Sequence, residues 1–430
     1  MRSALHTTRD RGGRKLASRG VLVLSTIWLA LLTAAPAAQE VSSARSVALG
    51  SAAMSLARGV DAAKFNPANL GLKEFQVRAV ELVGFGANIS NNSFTLGDYN
   101  KYTGAVLTDD DKADILSKVD DAGLKLTAQA DASALAVAMG QFAFGVTASG
   151  MADINLSKDI IELLLNGNTF ADTIEVTGSY SEGVAYASAF LSYGRCVYQA
   201  GTRELAIGAT AKYLYGLGVE RVVELEGLAA TFATGFAGEG EMIIQTAAGG
   251  SGYALDLGAA LKLNDNYTVG ARIKNFLSSL TWSKDAEEHG FIFSFDTMTV
   301  ENMDEDYVVT DDYTVEIDNF KTNLPSLLNV GVANTSGSLL WAIDWEQGFR
   351  RAAGASSKPR LSCGVEWSPV AAIPLRVGYS MGGNRNTTFS FGSGFHLPYF
   401  FFDYAVVTGT SISGYSSKGL NLAITTGFYF

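Results

Sequence analysis

Beyond its leader the chain lacks any apolar run long enough for a membrane-spanning helix. That absence excludes a helical membrane protein. It has only two cysteines, Cys196 and Cys363, which excludes a disulfide-stapled scaffold. Three histidines, one of them in the leader, leave little for a catalytic site. No nucleophile stands in a motif with a positioned base, so the reading is non-enzymatic. No acidic stretch has EF-hand ligand spacing, and no cofactor fingerprint is visible. Only 17% of residues are charged, fewer than in an ordinary soluble domain, and acids outnumber bases 43 to 32. An acidic balance argues against a nucleic-acid partner.

What is present begins with export. Arg2, Arg9, Arg11, Arg14, Lys15 and Arg19 precede the apolar stretch Gly20 to Ala34, and Ala35-Pro36-Ala37 fits a small-x-small cleavage site. Residues 1–37 therefore read as a signal peptide. Its removal takes away six positive charges and one negative, moving the formal net charge from −11 to −16.

The 46 glycines and dispersed apolar residues of the remaining chain follow a period of two. Leu420, Leu422, Ile424, Thr426 and Phe428 share one face near the C-terminus, against Asn421, Ala423, Thr425 and Gly427. Leu375, Val377, Tyr379 and Met381 oppose Arg376, Gly378 and Ser380 in the same way. Such strands suit a sandwich with apolar faces inward or a membrane barrel with them outward to lipid. Export, strand length, aromatics at strand ends and the terminal Phe430 favour the barrel. The prediction is an all-β protein: a transmembrane antiparallel up-and-down β-barrel in the bacterial outer membrane, inserted into its lipid by the barrel-assembly machinery.

Fourteen strands are expected, at 75–89, 124–138, 142–155, 179–193, 204–216, 252–263, 267–282, 326–334, 338–348, 360–368, 374–382, 387–396, 399–408 and 418–430. The segment 217–251 is either an external hairpin or two more strands, for sixteen. Short and long connections alternate, and the long ones are expected outside. Two of these carry helix signals. One opens at Thr108, with an apolar stripe of Ile115, Leu116 and Val119. The other is capped by Ser157, holds Ile160, Ile161, Leu163, Leu164 and Leu165, and stops at Asn166-Gly167. The acidic stretch Glu301 to Glu316 reads as a solvated external loop, and Cys196 as part of a periplasmic connection.

Between leader and first strand lies Phe65-Asn66-Pro67-Ala68-Asn69-Leu70-Gly71. Asn66 fits a helix N-cap and Pro67 the first helical position. Phe65 and Leu70 occupy the places of a hydrophobic staple, and Gly71 is expected to end the turn left-handed. Small residues precede it, suited to packing inside a barrel. A small-residue leader, Asp61, this motif and a long barrel resemble the FadL-type superfamily of outer-membrane transporters, which carry long-chain fatty acids and other hydrophobic compounds. Further stretches (Leu107 to Val119, Leu324 to Ala333, Ile373 to Gly383, Phe391 to Val406) look like an uncharacterised FadL-like envelope branch, distantly similar to PorV of the type IX secretion system. The resemblance implies that residues 38–72 form a lumenal hatch with Phe65, Asn66, Pro67, Ala68, Asn69 and Leu70 as its motif, and that residues 73–430 form the barrel. Asn69 replaces a glycine common in that family.

Two functions follow as expectations. One is passive passage of a hydrophobic small-molecule ligand that lands on the apolar helix at Ile160, Ile161 and Leu164. The other is a PorV-like scaffold or shuttle holding a protein partner at the external loops. Lumen-facing charges are expected at Lys212, Asp256, Lys262, Arg272, Lys274, Asp344, Glu346, Glu366 and Arg376. They read either as a network that holds the hatch, or, at Arg272 and Lys274, as a seat for a ligand carboxylate.

Overall fold

The structure, a computed structural model, describes residues 40–430 except 168–172, 177, 234, 299–307, 350–355 and 384–386. The leader expected at 1–37 lies outside the described residues. Fourteen strands form one closed antiparallel wall: β1 (Arg78–Asn91), β2 (Leu124–Met139), β3 (Phe142–Leu156), β4 (Tyr180–Ala200), β5 (Arg203–Phe232), β6 (Gly250–Lys262), β7 (Tyr267–Trp282), β8 (Leu327–Ser336), β9 (Leu339–Gly348), β10 (Arg360–Val370), β11 (Ile373–Gly382), β12 (Thr387–His396), β13 (Phe400–Gly409) and β14 (Gly419–Tyr429). Neighbours in sequence are neighbours in the wall, and β14 closes it by pairing with β1 from Ala79↔Tyr429 to Ser90↔Gly419.

The alternation explains the closure. In β14, Asn421, Ala423, Thr425 and Gly427 are buried inside, while Leu420, Leu422, Ile424 and Phe428 are exposed outside. A sandwich would reverse this, since its apolar side chains would meet in a core. At one end the strands are joined by tight turns in which Gly140, Gly201 and Gly337 adopt left-handed φ values near +60°. The C-terminal residue belongs to this turn end. Aromatic pairs mark it too, such as Phe142 with Tyr193 and Phe401 with Tyr429.

The structure decides between the two readings of segment 217–251 and departs from the sequence reading at the acidic stretch and at Cys196. Strand β5 runs on past the wall and pairs with Gly235–Ala247, which pairs with Glu287–Met298, which pairs with Val308–Glu316. Segment 217–251 thus supplies a hairpin rather than two wall strands. Within Glu301 to Glu316, the expected solvated loop is strand from Val308 onward; residues 301–307 lie outside the described residues. Its charges fall on both faces, Asp311 on one and Asp312 and Glu316 on the other, so the stretch shows no period-two apolar pattern in the sequence. Cys196 sits within β4, which continues to Ala200, and both cysteines are free.

Five helices belong to the chain among the described residues. Helices α1 (Ala44–Ala48) and α2 (Val60–Phe65) lie inside the wall. Helices α3 (Leu96–Tyr102), α4 (Asp109–Lys118) and α5 (Lys158–Asn166) stand at the loop end. Helix α3 was not anticipated, although Thr95 and Asp98 carry the spacing of a capping box and form one. Helices α4 and α5 have the expected caps, Thr108 and Ser157. Helix α4 ends at Lys118, short of the expected stripe residue Val119, which leaves helical geometry and is buried.

Candidate functional site: hatch and lumen

The segment from Glu40 to Phe75 fills the lumen. Nearly every residue in it is buried, including Ser42, Ser46, Ser55, Asn66 and Asn69. Small side chains let its backbone press on the wall. Ala44, Val47 and Ala48 pack on Ala405, Val407 and Ala423. Val60, Ala62, Ala63 and Leu70 pack on Ala136, Ala138, Ala143 and Phe190.

The motif is a one-turn 3-10 helix, Pro67–Gly71, with Asn66 as its N-cap. Asn66 Oδ1 accepts from the Ala68 N–H at 3.2 Å, and its Nδ2 donates to the Ala259 carbonyl of β6 at 3.0 Å. One side chain therefore caps the turn and fastens it to the wall. The expected staple is not formed: Phe65 packs with Ala53 and Ala57, whereas Leu70 joins the cluster around Phe190. Gly71 is not left-handed. It is needed because a Cβ there would lie 2.6 Å from the Arg195 carbonyl carbon. Asn69 Nδ2 donates to the carbonyls of Met54 and Ala57 at 3.1 and 3.0 Å, knotting the hatch onto itself. An Asn69→Gly substitution leaves both buried carbonyls without this donor. It is expected to lower stability by about 2 kcal/mol, read as a lower urea midpoint.

The wall makes room for the turn. Gly194, Gly208 and Gly258 sit side by side on β4, β5 and β6, and a Cβ at Gly208 would stand 2.5 Å from the Ala68 nitrogen. Gly364 and Gly378 do the same on β10 and β11, beneath Leu49 and Gly50.

Charges then fix the hatch. Lys64 and Glu81 of β1 pair at 2.7 Å, each side chain 3% exposed. Arg272 donates to the Lys64 carbonyl and, at 3.1 Å, to Asn329. Asp344 accepts from the Met54 N–H at 2.8 Å. At the turn end Arg45 meets Glu366 through Nε and Nη2, at 2.9 and 3.1 Å. Glu366 also pairs with Arg376 at 2.7 Å, Arg376 with Asp403 at 2.5 Å, and Asp403 with His396 at 3.0 Å. Lys212 pairs with Asp256 at 2.7 Å, and Lys262 with Glu74. Thus Arg272 is engaged with the hatch backbone. Lys274 lines a cavity together with Lys64, Lys212, Tyr186 and Thr210.

Above that cavity, towards the loop end, Tyr186, Leu214, Leu280, Trp282 and Leu324 form an apolar cluster across the lumen. Leu324 is carried inward because Ser278 donates to its carbonyl and Asn275 donates to that of Pro325. The residues of this cluster were missed as a group, since they come from distant strands and one inward loop. At the mouth, α5 buries Ile161, half-buries Ile160 and leaves Leu164 74% exposed. Helices α3 and α4 are joined by Lys118, which pairs with Asp98 at 2.7 Å and Asp114 at 2.8 Å. Desolvation raises the Asp98 carboxyl, but the bonds from Lys118 and Thr95 together outweigh it and hold the group down at about 2. Bonds from Lys118 and Tyr102 hold Asp114 at about 2. Both values lie below the ordinary carboxylate pKa of about 4, so this stabilisation is complete above about pH 4 and is lost as pH falls towards 2. Pepsin cleavage of segment 92–123 is expected to rise over that interval; a flat profile would show that the pairs do not hold the helices.

Comparisons place this architecture. The chain matches a family of unknown function (DUF5723) over residues 67–220. No curated protein sequence matches it significantly. Among solved structures it resembles the toluene transporter TbuX of Ralstonia pickettii, at 14% identity and a TM-score of 0.52, over 91% of this chain and 99% of that one. The toluene transporter TodX of Pseudomonas putida aligns at 13% identity and a TM-score of 0.50, over 92% and 99%. A FadL homologue of Pseudomonas aeruginosa aligns at 12% identity and 0.50, over 91% and 98%. The chain therefore has the FadL-type fold, a closed fourteen-stranded antiparallel barrel of the outer-membrane type with an N-terminal plug.

Proposed function

We propose that the protein is an outer-membrane channel for the passive passage of hydrophobic small molecules, long-chain fatty acids among them. The observation that carries the reading is the arrangement along the lumen axis. An exposed apolar helix stands at the mouth, an apolar cluster follows, then a cavity, then a small-residue hatch. The outward apolar rows of the wall fit lipid, and proteins named as toluene transporters share the fold. No energy-coupling element is visible in the sequence, so movement runs down a gradient. Proteoliposomes containing the purified barrel are expected to take up labelled oleate or toluene faster than protein-free vesicles. Equal rates would refute the channel.

One observation favours the PorV-like alternative. The sheet beyond the wall ends in Val308–Glu316, whose outer edge no described strand pairs. Glu224, Glu226, Glu239, Glu241, Glu288 and Asp311 share one face of this sheet. An open edge of this kind is a place where an extended segment of a protein partner adds as a further strand. A barrel that passes no ligand but retains a secreted protein through this sheet would decide for the scaffold.

A further inference from the structure

The sheet that β5 carries outward has two unlike faces and two unlike edges. From Arg203 to Leu217, β5 rises by about 35 Å at ~3.3 Å per residue and a tilt of ~40°, more than the ~25 Å apolar band of an outer-membrane barrel. The rows beyond Leu217 therefore stand clear of lipid. On one face Phe291, Phe293 and Phe295 line up, with Met242 and Leu225 in the row of Phe291. Phe295 lies over Gly238 and Phe293 over Gly240, where a Cβ would stand 2.7 and 2.6 Å from the rings. These glycines let the rings lie flat on the backbone. Phe293 is nonetheless 38% exposed.

The opposite face carries Glu224, Glu226, Glu239, Glu241 and Asp311, and among the described residues no ion pair neutralises them. Arg221 shares that face but is held by Gln245 at 2.8 Å and by the Phe320 ring.

The edge on the β5 side is covered, first by β4 and then by Thr173–Glu175, which pairs with Leu228 to Ala230. The other edge is Val308–Glu316, 9 residues that pair with Glu287 to Phe295 on one side and with no described strand on the other. Such an edge offers free N–H and C=O groups to any extended chain. Its middle is charged towards both faces. Asp311 points to the acidic face and Asp312 to the phenylalanine face, and both are exposed.

Those two acids exclude one occupant and select another. A second copy standing upright in the same membrane brings its edge strand in parallel and level, Asp311 against Asp311 and Asp312 against Asp312. Like charges directly opposite each other destabilise a pair of strands. A strand with two adjacent bases at its centre reverses the sign on both faces. Its residue opposite Thr310 falls in line with Phe293, so an apolar side chain there extends the phenylalanine row.

We infer that Val308–Glu316 receives an extended segment of a partner protein, with two adjacent basic residues facing Asp311 and Asp312 and apolar residues on the phenylalanine side. Main-chain bonds supply the hold and the two charge pairs the choice of partner. The inference rests on the partner reading of this sheet and is independent of passage through the lumen. Its test is fluorescence anisotropy on the full barrel in detergent, with a labelled nine-residue peptide of valine, threonine and tyrosine around two central lysines. This peptide is expected to bind about ten-fold more tightly than the same peptide with two central glutamates, the effect of turning two opposite-charge pairs into like-charge ones. Asp311→Lys/Asp312→Lys, at two exposed positions, is expected to reverse the preference. The lysine peptide N-methylated at alternate residues cannot extend the ladder and is expected to lose its binding. Methylated and unmethylated peptides binding alike would show adhesion by charge and overturn strand addition. Lysine and glutamate peptides binding alike would overturn the choice of a basic partner and leave the open-edge reading standing. Binding of neither would show that the acids only guard the edge, and would count against both. Flux of oleate or toluene bears on none of these outcomes.

Discussion

Lys64→Ala is expected to destabilise the barrel by about 3–5 kcal/mol, because it leaves the Glu81 carboxylate buried and without its cation. Both side chains are 3% exposed and meet at 2.7 Å. Water cannot take the place of the ammonium without opening the contact between α2 and β1. The cost therefore arises from an orphaned charge, more than from a lost attraction. A double variant, Lys64→Met with Glu81→Gln, removes both charges and keeps the bulk. It is expected to recover most of the loss. The check is the urea midpoint of the detergent-folded barrel. A single variant as stable as the parent, or a double variant worse than the single, would refute the assignment. The backbone of the turn is still held in both variants by Arg272 and Asn66, so the hatch is expected to remain inside.

Gly208→Val should produce an effect of similar size by steric means, about 3 kcal/mol. The added Cβ would sit 2.5 Å from the Ala68 nitrogen, and the neighbours on either side, Gly194 and Gly258, are glycines for the same reason. The obstacle is backbone rather than a flexible side chain, so no rotamer change relieves it. The turn must lift off β5, taking the Asn66 bond to Ala259 with it. Trypsin is expected to cut at Lys64 or Lys73 in the variant and not in the parent. Gly201→Val makes a useful contrast: a Cβ there meets nothing within 4 Å, so only its left-handed φ of +60° is strained and the hatch should stay protected.

Much of the wall was legible in the sequence. One apolar and one small-or-polar face per strand leave a single register each, and the fourteen expected strands coincide with those observed, mostly to within two residues. β4 and β5 are the exceptions: β4 continues to Ala200, and Leu228 and Phe232 continue the pattern of β5 beyond the height of the wall. The motif was legible as a capped turn at Asn66, because capping is local chemistry. Its packing was not. Whether Phe65 meets Leu70 depends on which wall strands stand beside each of them, and spacing carries no such information. Likewise the inward direction of Arg272 and Lys274 was readable from alternation. That Arg272 binds the Lys64 carbonyl while Lys274 lines a cavity follows only from where the hatch lies. Asn69, where the resembled family commonly has glycine, supplies two hydrogen bonds that a glycine could not.

The central claim is that the hatch closes a path for hydrophobic molecules. It is tested most directly by oleate and toluene flux into proteoliposomes holding either the full barrel or one lacking residues 40–72. Measurable flux is expected through the full barrel, and several-fold faster flux once the hatch is gone. Flux in neither form, or the same flux in both, would contradict it.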